Sequence, residues 1–184
     1  ITTTFEQMNK IYQKPEAGEF APYYGKYIDL VKEPDLTRLM KMQIIDLQAL
    51  LSEVPVEKEN YRYADGKWTI KEVIGHLIDA ERVFAYRALR IGRGDTTPLA
   101  GFEEDDYVKN TDFNKRSLPS LGHEFGFVRE STLALYNHFS PEELLRSGTA
   151  NDQPISVRAL LYIMAGHQIH HENVLRERYL PELL

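Results

Sequence analysis

The stretch GRGDTTPLAGFEEDDYVKNTDFNKRSLPS, residues 92–120, separates two helical segments and decides how they can be arranged. Connections between neighbouring helices of a bundle usually take about 2–8 residues. This one is several times longer. The segment before it, WTIKEVIGHLIDAERVFAYRALRI (68–91), makes a helix about 35 Å long. An extended chain of the connection's length can run alongside it from end to end. The spacing therefore predicts an all-α bundle with one long crossover between the second and third helices, which are left parallel. Phe102, Tyr107 and Phe113 are expected to pin the crossover to the bundle.

The helix boundaries carry their own signals. The first helix is expected over 35–52, after Pro34-Asp35, with Leu36, Leu39, Met40, Leu47, Leu50 and Leu51 on one face. In the second, Thr69 and Glu72 form a T-x-x-E capping box, and Trp68 is placed to staple onto Val73. The third runs over about residues 120–139 with Leu121, Phe125, Val128, Leu135 and Phe139 in one stripe, and Ser140-Pro141 stops it or starts a short extra turn. The fourth follows GTANDQP and continues to about Tyr179, before Pro181. The opening residues 1–34, with Tyr12, Pro22, Tyr23, Tyr24 and Tyr27, read as an arm packed on a single domain spanning 1–184. No alternation argues for a sheet.

Composition narrows the function. With 22 basic against 28 acidic residues the net charge is −6, which disfavours a broad nucleic-acid surface. No apolar run approaches the roughly 20 residues of a membrane span. The first residues lack the order of a secretory signal, so a cytoplasmic setting is expected, and residues can precede Ile1. The absence of cysteine excludes disulfides, thiolate ligands and a cysteine nucleophile. Any thiol chemistry would need a thiol from outside the chain.

Three histidines crowd the fourth helix in AGHQIHHENVLRERYL (165–180). His167 and His171 lie within the apolar stripe of Val157, Leu160, Met164, Val174 and Leu175. Four residues apart, they are about 40° apart in azimuth and about 6 Å in rise, so two imidazoles can converge on one ion. Core histidines satisfied by hydrogen bonds are the alternative for such a pair. Gln168 occupies the position where a metalloprotease H-E-x-x-H motif has its general base, so that chemistry does not apply. His170 falls nearer the flank. Among the other histidines, His123 faces away from its helix's apolar stripe and His138 sits in a last turn, where it favours the helix dipole. His76 lies on the flank of the second helix's apolar face, among Val73, Ala80 and Val83, with Gly75 leaving room for a neighbouring backbone. Its depth, about 10 Å from the helix start, matches that of His171, about 12 Å from the end of the fourth helix. His76 is the expected third ligand.

These residues also carry a family resemblance. GKWTIKEVIGHLIDAERVFAYRAL followed by AGHQIHHENVLRERYL resembles the DinB superfamily, over nearly the whole chain. There one histidine comes from a W-[ST]-x-x-E-x-x-x-H-L motif and two from an H-x-x-x-H on the last helix, and the three bind a divalent metal. The match falls on His76, His167 and His171. The resemblance implies a four-helix bundle of up-down-down-up topology, commonly a homodimer, with zinc or nickel as the first choices of metal. Gln168 departs from the Glu expected at that position in relatives.

Three neutral histidines leave the ion's charge uncompensated and a coordination position open, as in reactive sites. The resemblance puts first the activation of a low-molecular-weight thiol, such as bacillithiol or mycothiol, for transfer to a small electrophile. Hydrolysis by activated water is the second reading, and a non-catalytic, stress-associated metal-binding protein the third. Gln43 sits mid-stripe on the first helix, where its amide either bonds a neighbouring helix or lines the metal pocket. Arg87 and Arg178 approach inward stripes, so they bind an anionic substrate or snorkel at the rim. Asp79, Glu81 and Arg82 read as surface ion pairs, and FEEDDY (102–107) as a solvated loop.

Overall fold

A computed structural model describes residues 13–182; Tyr12 of the expected arm lies outside them. A 3₁₀ turn, Pro22–Tyr24, leads into α1 (Gly25–Ile28). The long elements are α2 (Leu36–Ser52), α3 (Ile70–Gly92), α5 (Leu118–Tyr136) and α7 (Val157–Val174), the last continued by a π turn, Leu175–Tyr179. Between them lie α4 (Glu104–Lys109) and α6 (Pro141–Leu145).

The four long helices form the expected bundle, and the contents of its two core clusters give their directions. One cluster joins the C-terminal part of α2 (Leu47, Leu50) to the N-terminal parts of α3 (Ile70, Ile74) and α5 (Leu121, Phe125), and to the π turn after α7. The other joins the start of α2 (Leu36, Met40) to the ends of α3 (Ala88, Ile91) and α5 (Leu133, Tyr136), and to the start of α7. Helices α3 and α5 are therefore parallel, and α2 and α7 run against them: up, down, down, up. The crossover does run the length of the bundle. Phe102 and Phe113 pin it, whereas Tyr107 is largely exposed and only leans its ring on Phe102, 5.3 Å away. Among the described residues, no helix is long and apolar enough to cross a membrane.

Local chemistry explains the starts. Thr69 and Glu72 exchange both bonds of the capping box, and Ser140 and Glu143 build a second one that starts α6. Ser156 caps α7 by accepting the Ala159 N–H at 3.1 Å, while its hydroxyl donates to Glu19 at 2.7 Å. Glu19 also takes the Arg158 guanidinium, placing a carboxylate from the arm at the positive end of α7.

Three further expectations are corrected. Residues 147–156 form an antiparallel hairpin, β1 (Ser147–Ala150) with β2 (Gln153–Ser156), where no sheet was expected. Its two-residue turn, Asn151-Asp152, holds both residues at positive φ, 52° and 57°, a conformation that Asn and Asp tolerate. Glu81 is not a surface residue: it is buried against Arg129 of α5. The space beside Gly75 is filled by the Phe113 ring rather than by backbone; a Cβ there would come within 2.5 Å of that ring.

A backbone does approach a glycine elsewhere. A Cβ on Gly166 would overlap the carbonyl oxygen of Tyr27 on α1. Backbone cannot rotate aside as a side chain can, so Gly166→Ala is expected to cost about 1–3 kcal/mol. The reading is a lower urea midpoint at unchanged m-value, and an unchanged midpoint would show that the arm docks less tightly than the structure has it.

Candidate metal centre

His76 stands two turns into α3, and His167 and His171 on successive turns of the antiparallel α7. The three rings meet inside the bundle. The Nε2 atoms of His76 and His171 lie 3.0 Å and 3.1 Å from that of His167. His76 and His167 are buried and His171 is half-buried. Trp68 lies over the His76 ring at 4.8 Å, taking up a position beside the site rather than only stapling the helix start. The Tyr27 and His167 rings meet in a T-shaped pair with centroids 5.1 Å apart. His170 flanks the group, 5.0 Å from the His171 ring, while His123 and His138 are exposed and remote from it.

The donor set suits a divalent ion. Two ligands in a tetrahedron built on bonds of 2.0–2.1 Å sit about 3.3 Å apart, close to the two spacings from His167, and all three donor atoms lie within 4.8 Å of one another. Burial pushes His76 down to about 4, with repulsion from His170 adding to it. Burial, then the neighbouring His76, brings His171 down to about 2, and burial also carries His167 well below the ordinary range. At pH 7 all three are neutral, the form that offers a lone pair to a metal. Among the described residues these three form the one group placed to share an ion, and no carboxylate belongs to it.

A cavity of about 550 Å³, within the range of small-molecule sites, opens onto His76 and His167. One wall follows α3 through Ala80, Phe84 and Arg87; the opposite wall is the arm, with Tyr23, Tyr24 and Tyr27. Glu103, Glu104 and Asp105 line it too, so the FEEDDY segment, whose acidic residues are solvent-exposed as expected, also borders the pocket. Burial raises the Tyr27 hydroxyl, helped by its 3.3 Å hydrogen bond with Tyr23, and keeps it protonated.

Gln43 is buried, and its amide is already engaged. Nε2 donates to the Ala165 carbonyl at 2.9 Å, and Oε1 accepts from Arg129 Nη1 at 2.8 Å. Gln168 points the same way, donating to the Gln43 carbonyl and to Glu172, both at 2.7 Å. Arg178 is exposed, with the Tyr63 hydroxyl 3.2 Å away, so of the two arginines only Arg87 reaches the cavity.

The family model described as the DinB superfamily matches residues 42–175, which include all three histidines. The chain belongs to the DinB superfamily. A relative from Oceanobacillus iheyensis, provisionally named a metal-dependent hydrolase, is 27% identical over 139 residues, covering 74% of this chain and 76% of its own length. Among solved structures, this DinB chain is similar to YfiT from Bacillus subtilis, described as "a probable metal-dependent hydrolase with an unusual four-helix bundle topology". That match has a TM-score of 0.74 at 16% identity and covers 92% of this chain and 93% of the other. The mycothiol-dependent maleylpyruvate isomerase shares the fold at a TM-score of 0.63 and 13% identity, over 86% of this chain and 67% of that one.

Proposed function

We propose that this DinB protein is a metal-dependent hydrolase of a small molecule, with His76, His167 and His171 holding one divalent ion, zinc or nickel being the first choices. One observation carries the reading: three neutral imidazoles converge at the inner end of a cavity large enough for a substrate. Three nitrogen donors leave positions open, so the ion, when bound, would supply Lewis-acid polarisation and a nucleophile at neutral pH. The rest of the work falls to the chain. Trp68 fixes the His76 ring by packing on it. The Tyr27 phenol, kept protonated, is placed to donate to negative charge that develops on a substrate oxygen. Phe84 and Phe102 give the cavity apolar surface that displaces water. The names of the Oceanobacillus and Bacillus relatives support hydrolysis.

Thiol transfer, the first expectation from the sequence, becomes the second reading, supported by the likeness to the mycothiol-dependent isomerase. A non-catalytic, stress-associated metal-binding role accounts less well for a cavity that reaches two of the three histidines.

The test is metal removal followed by a screen of aryl esters and amides. Chelation is expected to lower turnover by at least about 100-fold, a small part of the enhancement typical of enzymes, and one equivalent of zinc or nickel to restore it. Turnover that survives chelation overturns the proposal. Turnover that appears only on adding a low-molecular-weight thiol replaces hydrolysis with thiol transfer.

A further inference from the structure

Four cationic side chains are buried among the described residues: Lys71, Arg87, Arg129 and Arg158. Three of them face a carboxylate: Lys71 meets Glu59 at 2.9 Å, Arg129 meets Glu81 at 2.6 Å, and Arg158 meets Glu19. Arg87 does not. It is 3% exposed, its Nη2 donates to the Ala100 carbonyl at 2.8 Å, and its guanidinium lies about 6 Å from the centres of the Phe84 and Phe102 rings. A buried guanidinium without a counter-ion is costly and is a poor choice for stability alone. This one lines the same cavity as His76 and His167.

We infer that Arg87 is the anion-binding residue of this cavity and that the molecule bound there is an elongated monocarboxylate. The inference rests on the hydrolase reading for what happens at the other end. His76, Ala80, Phe84 and Arg87 follow one another along a single face of α3 and all line the cavity. Their backbone positions span about 16 Å, so a molecule reaching from the guanidinium to the histidines is extended rather than compact. The aromatic walls suit an apolar or aromatic middle.

Two features select the type of anion. One Nη2 hydrogen is already taken by Ala100, and the guanidinium also hydrogen-bonds the Tyr24 oxygen, while burial keeps the Tyr24 proton in place, so the remaining guanidinium N–H groups and one phenol O–H are left for the ligand. That set matches a single carboxylate. Glu103, Glu104 and Asp105 also line the cavity and repel a second negative charge, which disfavours a phosphate dianion. Arg87 borders a shallower groove behind Phe102 as well, but Tyr24 lines only the histidine cavity, so a ligand held by both residues lies on that side.

Calorimetric titration of the zinc-loaded protein with 4-phenylbutanoate, 4-phenylbutanamide and a phenylalkyl phosphate of the same length tests this without relying on turnover. The carboxylate is expected to bind about 10- to 100-fold more tightly than the amide, the range of a charged hydrogen-bonded pair. The phosphate is expected to bind more weakly than the carboxylate. Arg87→Met should abolish the preference for carboxylate, and Tyr24→Phe should reduce it. Because Arg87→Met removes an uncompensated charge, it should keep the wild-type urea midpoint and zinc stoichiometry. Equal binding of acid and amide by wild type overturns the inference. So does a preference retained in Arg87→Met, which would place the anion at the histidines, or an unchanged preference in Tyr24→Phe, which would place it in the outer groove. A phosphate bound most tightly overturns the choice of carboxylate, and a large loss of stability in Arg87→Met would make the residue structural. Failure of the hydrolase reading itself appears separately, as absence of metal-dependent turnover with this binding pattern intact.

Discussion

Arg129→Ala is expected to lose about 3–5 kcal/mol of folding stability, the penalty for breaking one side of a buried ion pair. Arg129 has no exposed surface. Its Nε and Nη2 donate to the two carboxylate oxygens of Glu81 at 2.6 and 2.7 Å, and its Nη1 donates to Gln43 Oε1 at 2.8 Å. The guanidinium also lies over the Phe125 ring at 5.0 Å. Truncation strands a buried carboxylate and a buried amide oxygen together, and neither can reach water without opening the bundle. The double replacement Arg129→Met with Glu81→Leu removes both charges and should recover most of the loss. Urea denaturation of the two single variants and the double decides the matter. A single-variant loss below about 1 kcal/mol would mean that the pair is solvated and ordinary.

The consequence extends to the candidate metal site. Glu81 stands on α3, Arg129 on α5 and Gln43 on α2, and Gln43 in turn binds the Ala165 carbonyl and the Gln168 amide on α7. One polar network thus fastens all four long helices. Its last contacts fall two residues before His167 and one after it. Rotation of α7 about its axis would swing His167 and His171 away from His76, and this network adds to the core packing that opposes that rotation. The double variant, though stable, should therefore bind zinc more weakly than wild type.

This network also marks where sequence reading stopped. Helix starts were legible because capping chemistry is local: Thr69 and Glu72 need only each other. The parallel pair was legible because a long connection has few places to go. The histidines were legible because helical periodicity converts spacing into direction. None of this identifies a partner on another helix. Glu81 is surrounded in sequence by Asp79 and Arg82, which are part-exposed and ion-paired at the surface as expected, yet its azimuth faces α5. Helix α3 is buried around most of its circumference, so a polar residue there can face a partner as easily as water. Tyr27 and the acidic run were missed as cavity walls for a related reason: they reach the site from segments with almost no periodicity. The Asn151-Asp152 turn was the one local signal available for the hairpin, but strands of four residues show too little alternation to confirm it.

Removing any one of the three histidines should end metal binding at the site. Each would supply one of only three donors in the proposed site, so the loss in zinc affinity is expected to exceed the 10- to 100-fold that loss of a mere orienting partner costs. The more discriminating measurement is stability with and without zinc. If the rings exist to hold an ion, the metal-free protein keeps three imidazoles crowded together, two of them buried, with no partner that fully satisfies them. His171→Ala, at a half-buried position, then leaves the metal-free protein about as stable as wild type. What it loses is the gain on adding metal, which for a ligand at 1,000 times its Kd is about 4 kcal/mol. His123→Ala, exposed and on another helix, should keep that gain in full. Satisfied core histidines predict the reverse pattern, in which truncation destabilises the metal-free protein and zinc adds nothing to wild type or variant. A His171→Ala protein that still binds one equivalent of zinc, with the full rise in melting temperature, would remove this residue from the ligand set and the three-histidine site with it.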